Sequence, residues 1–320
     1  MEIRRLGRSG LRVSEVVLGS WLTFGSSVDE EGTKACVKAA LDQGIHTFDT
    51  ADVYAMGRAE EVLGAALAGL PRKDLVIATK VFWPTGPGPN DKGLSRKHVV
   101  ETCHASLRRL RTDYVDLFQC HRFDPDVPLE ETVRAMEDLV RAGKTLHWGV
   151  SMWTGAQIAE AIRIARSCGG YGPVVNQPEY SLLARGIEAE VVPVSRREGV
   201  GQWVWSPMAQ GVLTGKYAGG ARPKGSRGAD AQRNRFMTSW LTPEVLARVD
   251  RFVALAKEAG LTPARLALAW CLAQPGIDAV VVGATRPDQV VENVAAAGTR
   301  LAPDLLVALD RLFPGPGVAS

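Results

Sequence analysis

The sequence predicts an α/β fold: a (β/α)8 TIM barrel with an N-terminal β-hairpin cap and a long loop after the seventh barrel strand. Three observations carry this. Eight short, mostly apolar runs recur along the chain, each followed by a helical segment, as in a parallel sheet covered on both faces. They fit within 320 residues with no dividing linker, which favours one closed barrel over an open sheet. Asp, Lys and His side chains also stand at the C-terminal ends of successive runs, the end of a barrel where chemistry collects.

The elements follow in order. Met1 to Val13 holds Gly7-Arg8-Ser9-Gly10 between two short runs, a hairpin signal placed to cap one end of the barrel. Val16-Val17-Leu18-Gly19 is the first barrel strand, and Asp29 to Gln43 has helical periodicity with acidic residues in its first turn. His46-Thr47-Phe48 leads to Asp49, and Ala59 to Ala68 is helical. Leu75 to Thr79 is the third strand, and Ser95 is placed to N-cap a helix running to Leu110. Tyr114 to Gln119 is the fourth strand; Leu129 to Arg141 is amphipathic and stops at Gly143. Thr145 to Met152 is the fifth, followed by a helix from Thr154 to Arg166. Val174-Val175-Asn176 and Trp203-Val204-Trp205 are the sixth and seventh. Ala279 to Val282 is the last, with Pro287 at the N1 position of the helix after it. Gly211 to Ser239, rich in Gly, Arg and Ser, is the long loop on the C-terminal face. Phe82 to Lys92, rich in Pro and Gly, is a second loop on that face. Residues 1–313 read as one domain and residues 314–320 as a flexible tail.

Composition narrows the function. The chain is 46% hydrophobic and 23% charged, as soluble globular proteins are. A net charge of +3 gives no basis for a nucleic-acid or membrane-surface partner. No apolar core follows Met1-Glu2-Ile3-Arg4-Arg5 and no membrane-length apolar run occurs, so a cytoplasmic location is expected. The five cysteines are odd in number and form no C-x-x-C pair; they read as reduced, packed thiols, and no metal-ligand spacing is present.

Asp49, Tyr54, Lys80 and His121 are the candidate catalytic residues. A tyrosine of ordinary pKa, about 10, is a weak acid unless a positive neighbour favours its phenolate. Lys80 can be that neighbour, Asp49 can hold the ammonium, and Tyr54 then serves as a general acid. His121 can donate to an oxygen that gains charge. The set suits protonation of a carbonyl oxygen while hydride reaches its carbon, and since no side chain donates hydride a cofactor is implied. Taken singly, each residue has a plain alternative: a strand-end salt bridge for Asp49 and Lys80, packing for Tyr54. Their shared position favours a site.

No G-x-G-x-x-G stands between a strand and a helix, so a Rossmann site is not expected. A different anion site is visible where Gly283-Ala284-Thr285-Arg286-Pro287 leaves the last strand and starts a helix, with Arg286 adding charge. A plain helix cap with a surface arginine explains the same residues. Ser151, Asn176 and Gln177 end two strands and could hold a carboxamide, or simply satisfy rim hydrogen bonds. Trp205 offers a flat face at the end of the seventh strand, or is an interior aromatic.

The order Phe48-Asp49-Thr50-Ala51-Asp52-Val53-Tyr54, Ala78-Thr79-Lys80 and Gln119-Cys120-His121 resembles the aldo-keto reductase tetrad. Gly149-Val150-Ser151, Asn176-Gln177-Pro178-Glu179-Tyr180 and Trp205-Ser206-Pro207-Met208-Ala209-Gln210-Gly211 resemble the branch containing the voltage-gated potassium channel β-subunits and their bacterial relatives. The likeness runs from Arg5-Leu6-Gly7 to Glu292-Asn293. It implies a TIM barrel that reduces aldehydes or ketones with NADPH, giving NADP+. Tyr54 would be the proton donor, Lys80 and Asp49 its tuning pair, and His121 the residue that orients the carbonyl.

For the cofactor, the resemblance assigns Ser151 and Gln177, with Asn176 beside them, to the nicotinamide amide, and Trp205 to its ring. Ser206, Pro207, Met208, Gly211 and Lys216 would follow the diphosphate, with Arg227 a further phosphate contact. Gly283, Thr285, Gln289, Glu292 and Asn293 would bind the adenosine end, and Arg286 the 2′-phosphate.

Trp21, Trp83, Phe123 and Trp153 each follow a strand and are candidates to line an apolar pocket for a small-molecule carbonyl substrate. The alternative is a cofactor-binding regulatory subunit like the channel β-subunits. In the mammalian members of that group asparagine takes the place of His121, and no long inactivating extension precedes Met1-Glu2-Ile3; both points favour an enzyme. A sugar-binding or isomerase barrel would leave the tetrad order unexplained. The branch includes tetramers, so a homo-oligomer is compatible with the resemblance.

Overall fold

The computed structural model describes residues 1–230, 234 and 237–317. Part of the long loop (231–233 and 235–236) and the end of the expected tail (318–320) lie outside the described residues.

A two-stranded antiparallel hairpin, β1 (Ile3–Arg5) and β2 (Arg12–Ser14), opens the chain. Eight parallel strands then close a barrel: β3 (Val16–Gly19), β4 (Thr47–Asp49), β5 (Val76–Val81), β6 (Val115–Cys120), β7 (Thr145–Val150), β8 (Val175–Asn176), β9 (Gly201–Trp205) and β10 (Ile277–Gly283). β10 pairs with both β9 and β3, which closes the ring. Around it lie α1 (Glu30–Asp42), α2 (Arg58–Leu67), α3 (Arg96–Leu110), α4 (Leu129–Arg141), α5 (Gly155–Ser167), α6 (Val191–Glu198), α7 (Pro243–Glu258), α8 (Pro263–Ala273), α9 (Pro287–Val294) and α10 (Pro303–Leu312).

Local chemistry explains the starts. Asp29 accepts from Gly32 N to cap α1, Ser95 accepts from His98 N to cap α3, and Thr154 with Gln157 forms a capping box on α5. α4 has the predicted bounds. Helices α7, α8 and α10 lie where no element was expected from the sequence. Each starts with proline in its first turn, and Thr242 and Thr262 cap the first two.

Two apolar clusters divide the interior. The larger lies between the strands and the helices. The smaller fills the bottom of the barrel: Val17, Val76, Ala78, Leu117, Val175, Trp203 and Ala279 pack with Leu6 and Val13 of the hairpin segment. The hairpin therefore seals the end away from the strand C-termini. Gly7 N donates to Asp278 Oδ2 at 2.8 Å, and Arg8 N to Gly199 O at 2.8 Å. Gly7 has φ of 53°, and a Cβ there would stand 2.5 Å from Gly199 O, so only glycine fits this approach. All five cysteines are free, and all but Cys168 are buried.

Candidate active site

The pleat of the strands delivers the site. On β5, Val76 and Ala78 belong to the inner cluster while Ile77 and Val81 pack under the helices. By the same alternation Lys80 points inward and Thr79 outward. Register carries the pattern around: Gly19 pairs with Asp49, Lys80 with Gln119, and Gly283 with Gly19. Asp49 ends β4, Lys80 stands within β5 rather than after it, and His121 follows β6 directly. All four tetrad candidates meet at one rim.

Lys80 is fully buried and is the hub. Its Nζ donates to Asp49 Oδ2 at 2.7 Å, to Thr50 O at 2.7 Å and to Tyr54 Oη at 3.3 Å. Burial works against the ammonium, but Asp49 and Tyr54 outweigh it, and the Lys80 pKa stands above the ordinary lysine value. For Tyr54 the outcome differs from the sequence expectation. Burial pushes the phenol up, Lys80 pulls it down, and the net direction is up. The phenol thus holds its proton firmly in this arrangement, with Lys80 offsetting only part of the desolvation.

Tyr54 reaches this place through a short 3-10 turn, Tyr54–Gly57, in which Ala55 and Met56 take left-handed φ values of 49° and 53°. The His121 ring meets the Tyr54 ring edge-on, with centroids 5.7 Å apart. Burial first, then Lys80 and Arg122, hold the His121 pKa well below the usual histidine value, so the imidazole is neutral. A neutral ring has one N–H to donate.

A buried polar layer outside the strands supports the tetrad. Thr79 Oγ1 donates to Glu60 Oε1 at 2.5 Å, and Arg109 Nε to Glu60 Oε2 at 2.6 Å. Glu60 is fully buried, so α2, α3 and β5 are tied together one residue from Lys80. Asp52 is buried beside this group; its Oδ1 accepts from Val53 N at 2.7 Å and its Oδ2 has no partner. Burial, then the Glu60 charge, push its pKa up to about 8. Arg122, one residue past His121, also lies at the rim. None of these residues was a candidate from the sequence; the only local signal was their nearness to Tyr54, Lys80 and His121.

The structure brings several cofactor candidates to the same rim. Gln177 Nε2 donates to Asp49 Oδ1 at 2.9 Å, and Ser151 Oγ donates to Gln177 O at 2.7 Å. Asn176, by contrast, donates to Gln202 Oε1 at 3.2 Å, on the outward side of its strand. Trp205 is partly exposed and meets Trp21 edge-on at 5.8 Å. Past it the chain turns sharply through Ser206, Pro207 and Met208, with Ser206 at φ of 54°. Gln210 links Ser206 to Arg227 by hydrogen bonds on both sides, and Arg227 lies 5.7 Å over the Trp21 ring. Gly211, at φ of 92°, leaves room for Lys216: a Cβ there would stand 2.8 Å from its Nζ.

At the last strand, Thr285 N and Oγ1 both donate to Gln289 Oε1, at 2.8 and 3.1 Å. Arg286 caps α9 and is exposed; Glu292 is exposed and Asn293 buried on the same helix. A cleft of about 510 Å³ lies between Thr285, the Gly25–Glu30 segment and Arg58. Of the four substrate candidates, Trp83 meets the His121 ring edge-on at 6.3 Å, and Phe123 packs on Trp153 at 5.1 Å. Trp153 is only 1% exposed and so presents no open face of its own to a substrate. Among the described residues no His, Cys, Asp or Glu cluster could hold a metal ion, and no helix is long and apolar enough to cross a membrane.

Comparison with known proteins agrees with this architecture. The model of the aldo/keto reductase family matches residues 15–312. A protein of Arabidopsis thaliana named "Probable voltage-gated potassium channel subunit beta" is 47% identical over 299 residues, 92% of this chain and 91% of that protein. A protein of Oryza sativa subsp. japonica with the same name is 46% identical over 299 residues, with the same shares covered.

Proposed function

The chain belongs to the aldo/keto reductase family, and on that premise we propose that it reduces aldehydes or ketones to alcohols with NADPH, with Tyr54 as the proton donor. The observation that carries this reading is the Lys80 ammonium held between Asp49 and Tyr54. That linkage gives a protonated phenol a charged neighbour able to stabilise it as the proton leaves.

The donor set suits a phosphorylated dinucleotide. Cationic Lys216, Arg227 and Arg286 and the start of α9 border one side of the mouth, matching phosphates. Trp205, partly exposed, could meet an aromatic ring, and Ser151 and Gln177, hydrogen-bonded to each other at the same rim, are polar groups that could hold a carboxamide. Ser206, Pro207, Met208 and Gly211 would line the diphosphate, and Gly283, Thr285, Gln289, Glu292 and Asn293 the adenosine end. The bound cofactor supplies hydride to the carbonyl carbon.

The protein's own residues do the rest. His121, neutral, donates its N–H to the carbonyl oxygen and aims it at Tyr54. Tyr54 passes its proton to that oxygen, and Lys80 stabilises the phenolate left behind. Asp49, fixed by Gln177, keeps the ammonium in place. Trp83, Phe123 and Trp21 shield the reacting carbon from water, with Trp153 as backing. In this reading residues 1–313 act as one cytoplasmic domain on small molecules.

The test is NADPH consumption by the purified chain across aldehydes, ketones and sugars, with Tyr54→Phe in parallel. Turnover that survives the substitution near the wild-type rate removes Tyr54 from the mechanism. A second reading is favoured by the names of the relatives: a cofactor-binding subunit of a channel complex. NADPH binding without turnover of any carbonyl would support it instead.

A further inference from the structure

The geometry points to Arg122 as an anchor for a carboxylate carried by the carbonyl substrate. Its place is fixed by the chain, since it follows His121 at the end of β6. Nη1 donates to His121 O at 2.5 Å and approaches Ser151 Oγ at 3.4 Å, which pins one edge of the guanidinium. The Cζ atom lies 5.6 Å from the centre of the Trp83 ring. Arg122 is only partly exposed, yet among the described residues no carboxylate comes within the 4.0 Å of an ion pair. Glu179 and the Tyr54 hydroxyl face it through electrostatics alone. A half-buried cation held on one edge, with Glu179 acting only at a distance and no carboxylate in contact, is a costly arrangement that a bound anion would complete.

This cation does not belong with the proposed phosphate contacts. In the ring of strands β6 stands directly opposite β10, four places away in either direction. Lys216 and Arg227 follow β9 and Arg286 follows β10, so they occupy the other side of the mouth. Arg122 instead shares its side with His121 and Trp83. An anion there would lie beside the carbonyl, with an aromatic wall along the body of the molecule. With one guanidinium edge already held by His121 O and the proposed phosphate contacts on the opposite side of the mouth, the free edge of Arg122 offers a planar two-point fit to a carboxylate. The substrate class is an apolar or aromatic aldehyde or ketone bearing a carboxylate a few atoms from the carbonyl.

This inference rests on the reductase reading above, and the test separates the two. Two aldehydes are compared by kcat/KM with NADPH: the charged 4-carboxybenzaldehyde and its neutral ester, methyl 4-formylbenzoate. The wild type should favour the charged aldehyde, chiefly through a lower KM. Arg122→Gln should lower the charged-to-neutral ratio on the order of 10- to 100-fold, and Arg122→Lys should restore part of it. An unchanged ratio in Arg122→Gln, equal loss on both substrates, or a wild-type preference for the ester overturns the proposal. If the wild type turns over neither, the reductase reading fails first. Calorimetry with the product-like acid 4-(hydroxymethyl)benzoate, added to the protein saturated with NADP+, then decides. Binding lost in Arg122→Gln upholds the anchor, and absence of binding to the wild type, or equal binding to both, rejects it.

Discussion

Arg286 and Asp288 bind each other edge to edge, with Nε 3.1 Å from Oδ1 and Nη2 3.0 Å from Oδ2. The residue proposed to meet a 2′-phosphate therefore already has a carboxylate partner, and both side chains are exposed. Phosphate binding has to displace that partner or share the guanidinium with it. Replacing Asp288 by Asn should tighten NADPH about two- to fivefold, since an exposed pair is weak, and should leave NADH little changed. Arg286→Ala should weaken NADPH about tenfold and NADH less. Fluorescence titration with both dinucleotides reads this, and equal loss for the two removes Arg286 from 2′-phosphate recognition.

Tyr54→Phe keeps the ring that meets His121 and removes the hydroxyl 3.3 Å from Lys80. Carbonyl reduction should fall by at least about 100-fold, the usual contribution of a positioned acid, with NADPH still bound. Single-turnover kinetics at saturating NADPH measures it.

Asp52 gives a pH signature. Its folded pKa is pushed up to about 8, against about 3.9 for an unfolded aspartate. Between those values the folded chain holds a proton that the unfolded chain has lost. Its contribution to stability is complete below the lower value and declines as pH rises through the upper one. Asp52→Asn should flatten the stability profile between pH 5 and 8, by at most about 1.4 kcal/mol per pH unit. His121 acts in the opposite sense at the acid end. Its depressed pKa means that the unfolded state takes up a proton first as pH falls below about 6.5, so stability falls there in wild type and variant alike. Urea melts of both proteins across that range decide, and parallel profiles would exclude the Asp52 role.

Arg109→Leu should leave the fully buried Glu60 without its cation. Arg109 is itself about a quarter exposed (26%), which softens the loss. The expected cost is on the order of 2–3 kcal/mol, below the range for a wholly buried pair. A denaturant midpoint that does not move would show that the Thr79–Glu60 bond alone holds this layer.

The barrel was legible because its signals are local. Apolar runs, caps at Ser95 and Thr154, and the stop after Arg141 all lie within a few residues of what they specify. Period-2 alternation likewise places Lys80 opposite in sense to Thr79. Helix α8 was hidden for a physical reason: Ala264 through Leu272 are buried on all sides, apart from Arg265, so no amphipathic stripe marks it. The Tyr54 turn was hidden too, because Ala55 and Met56 adopt a conformation that nothing in their residue types favours. Gln177 and Asp49 meet across 128 positions of sequence. No spacing rule reaches that far. Arg286 was visible as a charge, but its occupation by Asp288 depends on side-chain geometry.

The hairpin seal has a consequence for traffic. With Leu6 and Trp203 packed across the bottom, the barrel is closed at that end and its site can be reached from the opposite rim alone. Whatever settles deepest has to arrive first and depart last, because nothing can slip out beneath it. On the proposed function, cofactor and substrate would share the one open rim, and their order of binding and release would be set by a plug at the opposite end of the molecule, made of residues remote from that rim.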